Sequence, residues 1–158
     1  MIKTKRIKIM PKELFTILVI RYLKRRWWLL AWIWALALII LMNENNNSFD
    51  SFFFGFAIFY PLILIWHFWR YVNTKDNKIL LLERHYEING NNINVVIDEE
   101  TYSPIKLSHF IKVELIKNVY LLYISKEQFV YIPIDSFETE ADKKWFIEEI
   151  INKITTAQ

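Results

Sequence analysis

Three features of the sequence point to a membrane-embedded helical hairpin joined to a small α+β domain, a curled antiparallel sheet with one C-terminal helix. Two long apolar stretches, Trp27–Met42 and Phe49–Trp69, fall in the first half, and six of the seven Trp lie between Trp27 and Trp69. Charge divides the chain in the same place: residues 1–78 carry 12 Lys+Arg against 4 Asp+Glu, and residues 79–158 carry 8 against 13. Beyond residue 79, short strand-like runs separated by turn residues lead to one amphipathic helical stripe. With 17% aromatic residues the chain is too apolar for disorder. The absence of cysteine excludes a disulfide framework, a thiolate metal site and a cysteine nucleophile.

Residues 1–26 form a basic N-terminal segment with nine Lys+Arg and one acid, Glu13. Ile2–Ile9 alternates weakly and suits a short edge strand. Pro11 then opens a helix in which Leu14, Phe15, Leu18 and Tyr22 recur at helical spacing. This helix either grips anionic lipid at the interface or simply extends the first span towards the cytoplasm, and the second reading is favoured.

The hairpin is expected over 22–69. Trp27–Met42 is sixteen residues without a charge, short of the ~20 needed to cross the hydrocarbon core. Tyr22 and Leu23 add the missing turn if Lys24, Arg25 and Arg26 snorkel to the headgroups, giving a first span of about 22–42. The second span is about 49–69, with Pro61 inside it, where a membrane helix tolerates a kink. Trp27, Trp28, Trp66 and Trp69 suit the interfacial belts, with Lys24, Arg25, Arg26 and Arg70 as charged anchors. Two helices apolar on every face are more than a chain this short could bury, which argues against a soluble core. The late apolar run followed by asparagines does not fit a secretory signal. The loop Asn43–Ser48 holds no Lys or Arg, so the positive-inside rule places both termini in the cytoplasm. Asn46-Asn47-Ser48 matches a glycosylation acceptor but reads as a polar turn against the bilayer.

The expected cytoplasmic domain covers 79–158. Tyr86–Ile88 leads into Asn89-Gly90, the strongest short hairpin signal, and Ile93–Ile97 resumes the strand up to Asp98-Glu99-Glu100. Pro104 marks Tyr102–Leu107 as an edge strand. Phe110–Ile116 and Val119–Ser125 form a second hairpin about Lys117-Asn118, and Phe129–Ile134 follows after Lys126-Glu127-Gln128. Thr139, with Asp142 three residues on, caps a helix whose stripe is Phe146, Ile147, Ile150, Ile151 and Ile154. The expectation is one curled antiparallel sheet of six or seven strands closed by one C-terminal helix.

The order of basic start, two spans and strand-rich tail resembles the YcxB-like family of bacterial membrane proteins. The resemblance is carried by Ile105–Phe146. Leu107-Ser108-His109-Phe110-Ile111 stands where the family has a W-S-x-I step, with Leu in place of Trp. Ile132-Pro133-Ile134-Asp135-Ser136-Phe137 matches an I-P-x-x-x-F step, with Asp135 where a basic residue is common. The resemblance implies a pleckstrin-homology-like cytoplasmic domain and a place in the bacterial inner membrane, and it implies no activity.

No catalytic, cofactor or metal set emerges, so an enzyme is not expected. His67, His85 and His109 lack metal-ligand spacing, and His67, near the end of the second span, reads as an interfacial anchor. Asp98-Glu99-Glu100 lacks the alternation and glycine of an EF-hand and reads as a solvated tip. Two glycines exclude a phosphate loop, and Ser108, Ser125 and Ser136 lack a nucleophile elbow. The basic run beside Trp27-Trp28 is explained by a span, so nucleic acid is not an expected partner. Three functions are weighed. The first is a protein-interaction domain held at the membrane, with a regulatory, scaffolding or immunity-type role, using strand edges and the groove beside the C-terminal helix. The second is lipid headgroup sensing, for which Lys106, Lys112 and Lys117 could form a patch despite the −5 balance of the domain. The third is a homo-oligomeric transporter component, disfavoured by the lack of polar residues along the spans.

Overall fold

The order of elements follows the alternation and helical periodicity of the sequence closely. The computed structural model describes residues 1–42, 47–98, 101–126 and 128–156, so Asn43–Asn46 of the interhelical loop, Glu99-Glu100 of the acidic run, Glu127 and Gln158 lie outside the described residues. Two compact units result, one of Met10–Leu80 and one that joins Met1–Ile9 to Leu81–Gln158.

The first unit is a helix pair. Helix α1, Pro11–Leu41, starts with Pro11 at its first position, and the Met10 N–H donates to Glu13 Oε2 at 3.1 Å, which suits the first turn. Helix α2, Ser48–Asn73, is capped by Asn47, whose Oδ1 accepts from the N–H groups of Phe49 and Asp50 at 2.9 and 3.0 Å. The helices run antiparallel: Phe15 meets Trp69 edge-on at 5.7 Å, and the Tyr22 hydroxyl lies 3.0 Å from that of Tyr60. Backbone departure from helical geometry occurs at Arg26 (φ −130°, ψ 19°), whereas α2 continues through Pro61. Among the described residues one helix, Ser48–Asn73, is long and apolar enough to cross a membrane. The sequence reading expects two. In α1 the apolar run stops at Lys24-Arg25-Arg26, and Trp27–Leu41 covers about 22 Å against a core of ~30 Å.

The second unit contains seven strands in two antiparallel sheets, not the single curled sheet expected. Strands β1 (Ile2–Lys3), β2 (His85–Ile88), β3 (Asn92–Val96) and β4 (Tyr102–Lys106) form the first in sequential order. Strands β5 (Lys112–Ile116), β6 (Val119–Tyr123) and β7 (Phe129–Pro133) form the second. The break is a 3-10 turn at Leu107–His109, which ends the β4 ladder before β5 begins. Pro104 pairs with Asn94 on β4, an edge of its sheet, where its missing N–H removes no ladder bond. At Asn89-Gly90 the turn is closed by the Asn89 side chain, which accepts from the N–H groups of Asn91 and Asn92 at 2.9 and 2.7 Å, and Gly90 does not use positive φ. Lys117 does, at φ 53°.

The end of the chain is helical from Glu140 to Thr156, as α3 (Glu140–Phe146), a π turn (Ile147–Ile151) and α4 (Asn152–Thr156). Thr139 Oγ1 accepts from the Asp142 N–H at 3.1 Å, as an N-cap should. Phe146, Ile150 and Ile154 are buried with Tyr86, Ile88, Ile93, Tyr120, Leu122, Ile132 and Phe137 in one core. Phe146 sits between the rings of Phe137 and Tyr120, at 4.9 and 5.6 Å.

The domain boundary differs from the expected 79–158 because the N-terminal nine residues belong to this unit. β1 pairs with β2 through Ile2↔Ile88 and Lys3↔Glu87, and Ile7 bridges Arg84. Thr4 is buried: its N–H donates to the Tyr86 carbonyl and its Oγ1 accepts from the Tyr86 N–H, both at 2.9 Å. On its other flank Thr4 bridges Phe137, and the Lys5 N–H donates to the Ser136 carbonyl at 2.8 Å. The segment therefore closes the gap between the first sheet and the end of β7. It also adds Lys3, Lys5, Arg6 and Lys8, so the unit holds 12 basic and 13 acidic residues, a balance of −1 and not −5.

Candidate functional site

A concavity in the second unit is built where three connections converge. The β2–β3 turn contributes Asn91 and Asn92, the end of β4 and the following 3-10 turn contribute Lys106 and Ser108, and the C-terminal helix contributes Lys153. They rim an open groove of about 900 Å³ floored by Phe110 and Ile154, both buried. The floor is apolar because Phe110 and Ile154 belong to the core; the rim is polar because turns and a helix end meet water. Such a floor and rim suit an extended chain or a small anionic group. Lys153 is held by Glu149 at 2.6 Å, while Lys106 has no carboxylate within ion-pair distance among the described residues.

Strand β5 runs from this groove as an edge of its sheet, with α4 packed beside it. Its exposed apolar side chains, Ile111 just before it (52% exposed) and Leu115 within it (48%), are unusual for a strand edge facing water. Exposed apolar side chains along an edge strand suit contact with an extended segment.

The three lysines singled out from sequence do not form one patch. Lys106 is on the groove rim. Lys112 is ion-paired with Glu114, and Lys117 occupies the β5–β6 turn at the opposite end of the strand, some 15 Å from Lys112 at ~3.3 Å per residue. Lys153 takes a place beside Lys106 that linear spacing could not reveal, because it comes from the C-terminal helix.

Lys24, Arg25, Arg26, Trp27 and Trp28 are all exposed on α1. Trp66, Trp69 and Arg70 are exposed on α2, with the Arg70 guanidinium 5.5 Å over the Trp66 ring. His67 lies exposed beside Phe68. His85 Nε2 is buried and 3.6 Å from Glu87 Oε1, too far for a hydrogen bond; Glu87 is also held by Lys3 at 3.2 Å. His109 ends the Leu107–His109 turn. No group of three or more His, Asp or Glu converges on a metal position among the described residues. Ser136 Oγ donates to the Pro133 carbonyl and Ser125 Oγ accepts from the Gln128 N–H, which are turn-closing roles. Burial pushes the Tyr86 hydroxyl up to about 12, against the weaker opposing pull of Arg84. That hydroxyl donates to the Tyr131 carbonyl at 2.6 Å, a structural strut within the core. No family model, curated protein or solved structure matches the chain.

Proposed function

We propose that this chain is an integral membrane protein with two crossing helices and both ends in the cytoplasm, and that its strand-rich unit is a protein-interaction domain. Parity supports the topology. The N-terminal strand and residues 81–158 build one folded unit, so both lie on the same side of any membrane that residues 10–80 enter, and the number of crossings is even. One crossing by α2, which is apolar enough for it, therefore requires a second by α1. A loop without Lys or Arg and the flanking basic residues favour the cytoplasm for the unit.

The groove beside β5, with Ile111 and Leu115 exposed along it, is the observation that carries the interaction role. An extended segment of a partner would pair with β5 and set side chains against Ile111, Leu115 and the groove floor. The strands-then-helix order of residues 81–158 suits the pleckstrin-homology-like domain that the YcxB-like resemblance implies. A second reading, headgroup sensing at the inner leaflet, is favoured by Lys106 and by the near-neutral balance that the N-terminal strand restores.

Photo-crosslinking amino acids placed at Ile111, Leu115 and, as a control, Tyr102 on β4 test the role in cells. One recurrent protein adduct from positions 111 and 115, absent from 102, with the position-111 adduct lost in Leu115→Lys, is the expected outcome. Adducts to lipid alone would replace the interaction role with the headgroup reading.

A further inference from the structure

The groove in the strand-rich unit is selective in the charge of its lining. The unit holds 13 acidic residues, yet the groove is lined by two lysines, Lys106 and Lys153, and by no described acid. The acidic run begins at Asp98, beyond the far end of the β3–β4 ladder, about 20 Å from Asn92 at ~3.3 Å per residue. Lys153 has a partner in Glu149 at 2.6 Å, and Lys112 on β5 is paired with Glu114. Lys106 has no carboxylate within ion-pair distance among the described residues. The groove therefore sets one uncompensated lysine beside an apolar floor.

The wall that carries Lys106 is fixed by its own hydrogen bonds. Asn92 stands opposite Lys106 in the ladder, and Asn89 Oδ1 accepts from the N–H groups of Asn91 and Asn92. The Leu107 N–H donates to the Asn91 carbonyl at 2.8 Å, and the Phe110 N–H donates to the Leu107 carbonyl at 3.1 Å. These bonds tie the turn after β2 to the turn after β4 and hold Phe110 in the floor. Successive helical residues point ~100° apart, so burial of Ile154 in the core turns Lys153 onto the flank that lines the groove. A wall already ordered lowers the entropy that a ligand must overcome.

We infer that the groove takes an acidic–apolar extended segment of a partner protein, with one carboxylate against Lys106 and a neighbouring apolar side chain over Phe110 and Ile154. This inference rests on the interaction reading above and names the chemistry of the partner. Two features favour a carboxylate over a phosphate. Glu149 already neutralises Lys153, so a doubly charged phosphate would meet the Lys106 charge together with a nearby acid, whereas a single carboxylate matches what is left uncompensated. The apolar floor, with Ile111 exposed next to it, is covered by an apolar side chain, which a phosphate group does not bring.

Photo-crosslinking residues at Asn91 and Ser108, both exposed on the groove rim, test this in cells with the full-length protein, and mass spectrometry of the adduct reads the partner segment. That segment is expected to carry Asp or Glu within two positions of an apolar residue. Lys106→Glu should lower the adduct yield about fivefold, the upper range for one exposed ion pair, while Lys106→Arg leaves it unchanged. Exchanging the partner's acid for lysine should restore the yield in Lys106→Glu, a rescue that a loss of folding would not allow. A protein adduct whose yield ignores Lys106→Glu, or whose segment holds no acid, overturns the carboxylate and leaves the interaction reading standing. Protein adducts from Ile111 and Leu115 with none from Asn91 and Ser108 do the same. Adducts to lipid alone at all four positions overturn the interaction reading and this inference with it.

Discussion

Replacing Thr4 by valine should destabilise the strand-rich unit although the residue is more than seventy positions from its partners in sequence. Valine has nearly the shape of threonine and opens no cavity, so the change isolates the hydroxyl. Thr4 is 2% exposed, and its Oγ1 is the acceptor for the Tyr86 N–H at 2.9 Å. Without it, a buried amide donor loses its partner, which costs about 2 kcal/mol. For a unit of this size that corresponds to a fall in Tm of roughly 10 °C. The full-length protein in detergent micelles, followed by near-ultraviolet dichroism of its core aromatic residues or by protease resistance of residues 81–158, gives the measurement. Thr4→Ser retains the acceptor and should fall less than half as far. If Thr4→Val melts with the unaltered protein, the N-terminal strand is not in place, and the parity argument for two crossings loses its foundation.

Four other outcomes follow from the geometry. Lys117→Gly should stabilise by about 0.5–1 kcal/mol in denaturant titrations, since φ of 53° strains a residue with a side chain and glycine adopts it freely. Gly90→Ala should be nearly neutral because nothing lies within 4 Å of the added carbon and φ is not positive, while Asn89→Ala should cost about 1 kcal/mol by releasing two turn amides. The raised Tyr86 hydroxyl keeps its proton in the folded state after the unfolded chain has lost it. Its stability contribution is thus complete below pH 10 and declines by roughly 1 kcal/mol per pH unit between pH 10 and 12; denaturant midpoints at pH 9 and 11 should differ less in Tyr86→Phe. A reporter inserted at Asn46 should behave as extracytoplasmic and one fused after Gln158 as cytoplasmic, and the reverse pattern would overturn the charge argument.

Local chemistry made much of the fold legible. Asn89, Lys117-Asn118 and Pro104 mark turns and an edge through their own side chains and dihedral limits, and Thr139 with Phe146, Ile150 and Ile154 marks the closing helix by capping and period. The groove was less legible, since Lys106, Ser108 and Lys153 are brought together by three separate connections and share no spacing in the chain.

Where runs of apolar and polar residues begin and end is written in the chain itself, because periodicity, caps and turns act within a few residues. The sequence determined six or seven strands and a closing helix in their order, and the charge asymmetry between the two halves. Long-range pairing set the division into two sheets and not one, and the return of Met1–Ile9 to the unit formed with Leu81–Gln158. Only it decided which residues of the two helices meet, Phe15 with Trp69 and Tyr22 with Phe68 and Tyr60. Those outcomes depend on pairings between residues such as Thr4 and Tyr86, or Phe15 and Trp69. Such pairs are chosen by the simultaneous packing of many side chains, a condition that no local stretch of sequence contains.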